Sequence, residues 1–147
     1  MCSSDLETAA VANLAQASQL MTRLRAMGCP IALDDFGSGM SSFSYLRNLP
    51  IDFLKIDGAF IRNINVDPID FAMVETIHRI GGIMGVRTVA ECVENESVLA
   101  ALALIGVDFV QGFHIGRPMP LDQIKTSLQR RPPTPTLKAV VGPGGSR

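Results

Sequence analysis

The sequence predicts an α/β fold built on a parallel sheet, and three observations carry that prediction. Short apolar runs at 31–34, 51–57, 87–91 and 107–111 alternate with segments of helical periodicity. Strands joined by helical crossovers run parallel. Each run also carries a polar side chain near its C-terminal end, with an apolar neighbour on the opposite face. That last pattern suits a barrel whose site lies at the C-terminal mouth of its strands. Two architectures fit the alternation, an open doubly wound sheet and a (β/α)8 barrel. A complete barrel takes ~250 residues. A chain of 147 residues holds about half of one.

The elements follow in order. Ala10, Leu14, Ala17, Met21 and Leu24 step by four and three along one helical face. Gly28 stands where that helix is capped, and Pro30 prevents its continuation. The first strand covers 31–34, a short helix or turn covers 41–47, and the second strand covers 51–57. Asp67-Pro68 opens the next helix, a capping residue before proline at the first helical position. Ile69, Met73, Ile77, Ile80 and Met84 are expected to form its buried face. Gly81 and Gly82 weaken its end by roughly 1 kcal/mol each relative to alanine, and Gly85 caps it. The third strand, 87–91, precedes a helix capped by Asn95, carrying Leu99, Leu102 and Ile105 and ended by Gly106. The fourth strand, 107–111, and an amphipathic helix over 120–128 complete the order. From Arg130 the proline- and glycine-rich composition predicts a disordered tail, 130–147.

Composition bounds the function. With 47% hydrophobic and 18% charged residues, the chain holds at most one globular domain. A net charge of −1 offers no basic footprint for duplex nucleic acid. No apolar run has the length of a membrane span, and no signal peptide opens the sequence. Cys2, Cys29 and Cys92 are few, odd in number and without metal-ligand spacing, which points to a cytoplasmic location. A membrane anchor upstream in a longer parent remains compatible with that. Residues 1–6 read as a non-native leader, since GTG-TGC-TCT-TCC-GAT-CT, a sequencing-adapter sequence, would encode them.

Chemistry concentrates at the strand ends. Asp34 and Asp35 close an apolar run, where unpaired charge is costly, and Gly37-Ser38-Gly39 turns the chain at once. Asp35 either caps that loop or binds a ligand. Ala32 and Asp34 share a face; so do Phe53, Lys55 and Asp57, then Val89 and Glu91, then Phe109 and Gln111. Asp34, Asp35 and Glu91 are hard oxygen donors without a thiolate or histidine cluster, a set suited to Mg²⁺ or Mn²⁺. Lys55 either closes an ion pair with Asp57 or Asp34 or holds an attacking water or phosphate oxygen. Carboxylate-held metal beside a lysine fits phosphodiester hydrolysis. Gln111 either orients a polar substrate or bonds a neighbouring loop. His78 reads as a boundary residue, His114 as structural and Cys92 as packing.

Leu33-Asp34-Asp35-Phe36-Gly37-Ser38-Gly39, Leu54-Lys55-Ile56-Asp57, Ala90-Glu91-Cys92-Val93-Glu94 and Gln111-Gly112-Phe113 resemble, in order, motifs of the EAL-domain cyclic-di-GMP phosphodiesterases of bacterial signalling. The resemblance runs from about residue 7 to residue 124, with the domain part ending near 129. It implies the C-terminal half of a TIM-like (β/α)8 barrel, truncated at its N-terminus, that opens cyclic-di-GMP to pGpG with Mg²⁺ or Mn²⁺. By position, Asp34 and Asp35 resemble the metal-binding pair, Lys55 the lysine at the attacking water, and Glu91 the metal-site glutamate of the third motif. Lys55 and Glu91 are thus the catalytic candidates. Gln111, Asp57 and Glu94 resemble substrate-side positions, and Glu7 the glutamate that braces the loop after the aspartates. The expected partners are cyclic-di-GMP and a second copy through the barrel, with neither duplex nucleic acid nor a membrane segment.

The sequence also departs from the family. Glu-Ala-Leu and its following arginine are absent, as is an asparagine ligand, and Ser4 falls where a metal-ligand glutamate belongs. Ser38 replaces a usual threonine, and Cys92 replaces a usual glycine. The isolated chain is therefore expected to be inactive. The alternative is a degenerate EAL domain that binds cyclic-di-GMP or a protein and signals without catalysis.

Overall fold

A computed structural model describes residues 3–37, 46–120 and 123, with side chains described from residue 13 onward. The tail, nearly all of the 120–128 helix and most of the 41–47 segment lie outside those residues. The chain divides into two compact units, Met1–Arg117 and Pro118–Arg147. The sheet and its helices belong to the first.

The elements run α1 (Ser3–Ala26), β1 (Ala32–Phe36), β2 (Phe53–Ile56), α2 (Gly58–Ile61), α3 (Pro68–Met84), β3 (Arg87–Ala90), α4 (Glu96–Ile105) and β4 (Phe109–Val110). The strands pair in the order β1-β2-β3-β4, all parallel. A doubly wound sheet reverses its strand order part-way. This sheet advances in one direction throughout, as the wall of a barrel does. No helix among the described residues is long and apolar enough to cross a membrane.

The sequence explains the helix limits. Asp67 accepts hydrogen bonds from the amides of Ile69 and Asp70, with Pro68 at the first helical position, and Gly85 ends α3 at a φ of 70°. Asn95 accepts from the Val98 amide, and Gly106 ends α4 at a φ of 88°. α1 begins inside the stretch read as a leader. Leu14, Ala17, Met21 and Leu24 are half-buried along α1.

The two faces of the sheet differ. Leu54, Ile56 and Ala90 are fully buried, and Val74 and Ile77 of α3 and Val98 and Leu102 of α4 join them in one core. The other face carries Phe53, Lys55, Arg87, Val89 and Phe109, none of them buried. There Phe53 and Phe109 meet edge to face at 5.8 Å. The Arg87 guanidinium lies over both rings, at 4.6 and 5.4 Å.

Two expectations need correction. The buried stripe of α3 is Val74, Ile77 and Gly81, while Ile69 is 71% and Met73 37% exposed. Of the expected stripe, Ile77 is buried and Ile80 and Met84 are half-buried, and Gly81, read as a weak point, lies on the buried face with them. Its bare Cα instead lies where a Cβ would stand 3.0 Å from the Thr88 Cγ2, so the missing side chain lets helix and strand approach. The first strand also runs two residues beyond Asp34, through Asp35 to Phe36.

Candidate active site at the strand ends

The longer β1 has a local cause. Leu33 pairs with Leu54 and Phe36 with Ile56, so β1 spends one more residue than β2 over the same interval. This is a bulge, and Asp35 takes a left-handed φ of 51° within it. Aspartate tolerates that conformation better than most residues. The Asp35 amide also donates to the Asp34 Oδ1 at 3.2 Å. Strict alternation would send neighbouring side chains to opposite faces. The bulge cancels it, and ligating oxygens of Asp34, Asp35 and Glu91 lie within 4.8 Å of one another. The Asp57 amide donates to the Phe36 carbonyl at 3.2 Å, tying the bulged end to β2.

Lys55 sits among these carboxylates. Its Nζ donates to the Asp34 Oδ1 at 2.7 Å and is ion-paired with Glu91. The hydrogen bond to Asp34, then that to Glu91, holds the ammonium above its ordinary range against the effect of partial burial. The same bond from Lys55 holds the Asp34 carboxyl below the ordinary carboxylate range. Lys55 is therefore held as a hydrogen-bond donor between the two carboxylates. Of the two partners weighed for it from sequence, Asp34 is the one found, and Glu91 joins it. The oxygen donors match the set that favours Mg²⁺ or Mn²⁺, so Asp34, Asp35 and Glu91 could hold such an ion.

The other candidates lie around this centre. Asp57 caps α2 by accepting from the Ala59 amide at 2.8 Å. The Gln111 amide donates to the Ala90 carbonyl at 2.8 Å, and its carbonyl accepts from the Val93 amide at 3.0 Å. That backbone exchange leaves the Gln111 side chain exposed beyond β4, and Glu94 is exposed as well. His114 bonds Glu96 at 2.9 Å, on the first turn of α4. The Glu7 side chain and Ser38 lie outside the described residues.

Sequence reasoning missed a polar cluster at the N-terminal end of β3. The fully buried Thr88 donates its hydroxyl proton to the Asp108 Oδ2 at 2.9 Å, and its amide donates to the same oxygen at 2.8 Å. With that single proton spent, the 2.8 Å contact to His78 requires Nδ1 of the ring to be the donor. Threonine in a strand carries no signal beyond β-propensity, so nothing marked this cluster in advance. Asp52 makes a second tie at this end, accepting from the Ile31 amide at 2.8 Å and from Arg25 at 2.9 Å. A groove of about 800 Å³, lined by Arg25, Asp52, Met84 and Arg87 among others, opens here, at the end of the sheet away from the carboxylates.

The profile of the EAL domain matches residues 6–118. The chain belongs to the EAL domain family. A relative, cyclic di-GMP phosphodiesterase PdeB of Shewanella oneidensis, is 43% identical over 135 residues, which cover 89% of this chain and 16% of that protein. The crystal structure of the EAL domain of Mycobacterium smegmatis DcpA matches with a TM-score of 0.75 at 33% identity, over 80% of this chain and 52% of that one. A c-di-GMP complex of the PaMucR phosphodiesterase matches at 42% identity with a TM-score of 0.68, over 73% of this chain and 43% of that one. The fold is accordingly the C-terminal half of a TIM-like barrel, and this EAL chain spans about half of the solved domains and a far smaller share of PdeB.

Proposed function

We propose that the protein to which this sequence belongs is a divalent-metal phosphodiesterase that hydrolyses cyclic-di-GMP to pGpG. The observation that carries the reading is the set of three carboxylates within 4.8 Å, joined by the ammonium of Lys55 at the strand ends. Asp34, Asp35 and Glu91 hold Mg²⁺ or Mn²⁺. When bound, such an ion supplies Lewis-acid charge and hydroxide at neutral pH. Lys55 donates to the attacking water or to a phosphate oxygen. Water adds to one phosphorus as the P–O bond to the ribose oxygen breaks, leaving a linear dinucleotide. Gln111, Asp57 and Glu94 face the substrate, and Glu7 braces the loop after Asp35. PdeB is named a cyclic di-GMP phosphodiesterase and the PaMucR structure is a c-di-GMP complex, which supports the choice of substrate. A second copy of the whole domain pairs through the barrel, in the cytoplasm.

The isolated chain is inactive on this reading, because its sheet has four strands among the described residues where a closed barrel of this type has eight. One observation favours the second reading, a binding module without turnover: Cys92, directly after Glu91, is a non-glycine residue at a φ of 55°. The test is turnover of cyclic-di-GMP by the whole protein with and without Mn²⁺. Metal-dependent turnover that is lost in Lys55→Ala with folding intact supports the proposal. Unchanged turnover in Lys55→Ala removes the role assigned to Lys55, and tight binding without turnover selects the second reading.

A further inference from the structure

Among the described residues, only Asp35 and Cys92 are non-glycines with positive φ. Both belong to the carboxylate site, one within it and one directly after Glu91. Asp35 has a neighbouring carboxylate to receive its amide; on either side of Cys92 the Glu91 amide donates to the Ile56 carbonyl and the Val93 amide to the Gln111 carbonyl. The Cys92 side chain is held by packing. Its Sγ and Cβ occupy the space where a side chain at Gly58 would begin. Gly58 is buried, opens α2 and directly follows Asp57. The Arg62 Nη2, at the other end of α2, lies 4.0 Å from the same sulfur. The thiol is thus wedged against α2, and the turn at residue 92 sets the direction in which the chain leaves Glu91.

We infer that Cys92 is a positioning residue: by seating its thiol on Gly58, it fixes the turn that aims the Glu91 carboxylate at Lys55. This rests on the reading of Glu91 and Lys55 as parts of the site. A glycine at 92 reaches the same left-handed turn without strain but has no side chain to anchor it. Cys92 and Gly58 therefore form a complementary pair, the bare Cα of one making room for the thiol of the other. Stability and positioning then move in opposite directions when Cys92 is replaced by glycine.

The test uses the 147-residue chain without metal and two readouts, thermal unfolding and hydrogen exchange of the Lys55 ammonium by ¹⁵N NMR. Cys92→Gly should leave the unfolding midpoint unchanged or raise it, while Lys55 exchange accelerates roughly fivefold. Cys92→Ser, with nearly the same shape, should keep the slow exchange. Gly58→Ala should lower the midpoint and accelerate exchange when Cys92 is present, and do neither when added to Cys92→Gly. The proposal is overturned if exchange stays slow in Cys92→Gly, or if Gly58→Ala costs the same in both backgrounds. Fast exchange in the unsubstituted chain would mean that Lys55 is not held at all. The site reading then falls as well, which separates its failure from that of Cys92 alone.

Discussion

Replacing Lys55 by methionine removes the charge that joins the carboxylates and keeps most of the stem. Two unit charges about 4 Å apart interact by about 1 kcal/mol in water and about 4 kcal/mol at an effective dielectric of 20. The Asp34 side chain is 62% exposed, so its bond to Lys55 falls near the water limit. The side chains of Lys55 and Glu91 are only 21% and 16% exposed, so their pair lies nearer the upper value before its desolvation cost is subtracted. Together these place the loss in Lys55→Met at about 2 kcal/mol, or about 8 °C in the unfolding midpoint. The pH dependence identifies the cause. The folded-state value of Asp34 lies below its ordinary 3.8, so its contribution is complete above that pH and lost as pH falls through the folded value. The folded-state value of Lys55 lies above its ordinary 10.5, so its contribution is complete below that pH and lost as pH rises through the folded value. Thermal unfolding of both chains from acid to alkaline pH should show a gap that is flat between those limits and narrows beyond each. A gap of constant size at every pH would mean that the lysine stem packs but its charge does not pair, and the electrostatic account of the site would be wrong.

Other substitutions test the scaffold. Adjacent glycines of α3 should respond with opposite sign. Gly82→Ala meets nothing within 4 Å and should stabilise by about 0.7 kcal/mol. Gly81→Ala meets Thr88 Cγ2 at 3.0 Å and the Val86 carbonyl at 3.2 Å, and should cost about 1 kcal/mol in chemical denaturation despite its helix propensity. Thr88→Val keeps the shape but removes the hydroxyl between His78 and Asp108, and urea titration should show a loss of about 1–2 kcal/mol. Asp67→Ala deletes the α3 cap and should cost about 1 kcal/mol by the same measurement.

Much of the fold was legible because its signals are local. Asp67-Pro68, Gly85, Asn95 and Gly106 mark helix ends through chemistry that acts within a few residues, and each of them stands at its predicted limit. Polar residues at the strand ends marked the mouth. The remainder depended on contacts distant in sequence. Period-two alternation would separate Asp34 from Asp35; only the register against β2 reveals the bulge that brings them together. Gly81 looked like a helix flaw because its partner, Thr88, belongs to the next strand. Ile69 and Met73 continue the helical repeat of Ile77 yet are exposed, because periodicity alone does not show where along a helix its packing begins. Cys92 was recognisable as a departure from the family, but its seat on Gly58 was not, since the two lie on successive strand-to-helix connections.

The central claim is that the bulge at Asp35 makes one metal site from Asp34, Asp35 and Glu91. Mn²⁺ titrated into the chain, with free ion followed by electron paramagnetic resonance, tests it most directly. The unsubstituted chain should remove Mn²⁺ signal up to one equivalent per chain, and Asp35→Asn should weaken that uptake at least roughly tenfold while the fold persists. Equal uptake by both chains, or none by the unsubstituted one, would contradict the claim.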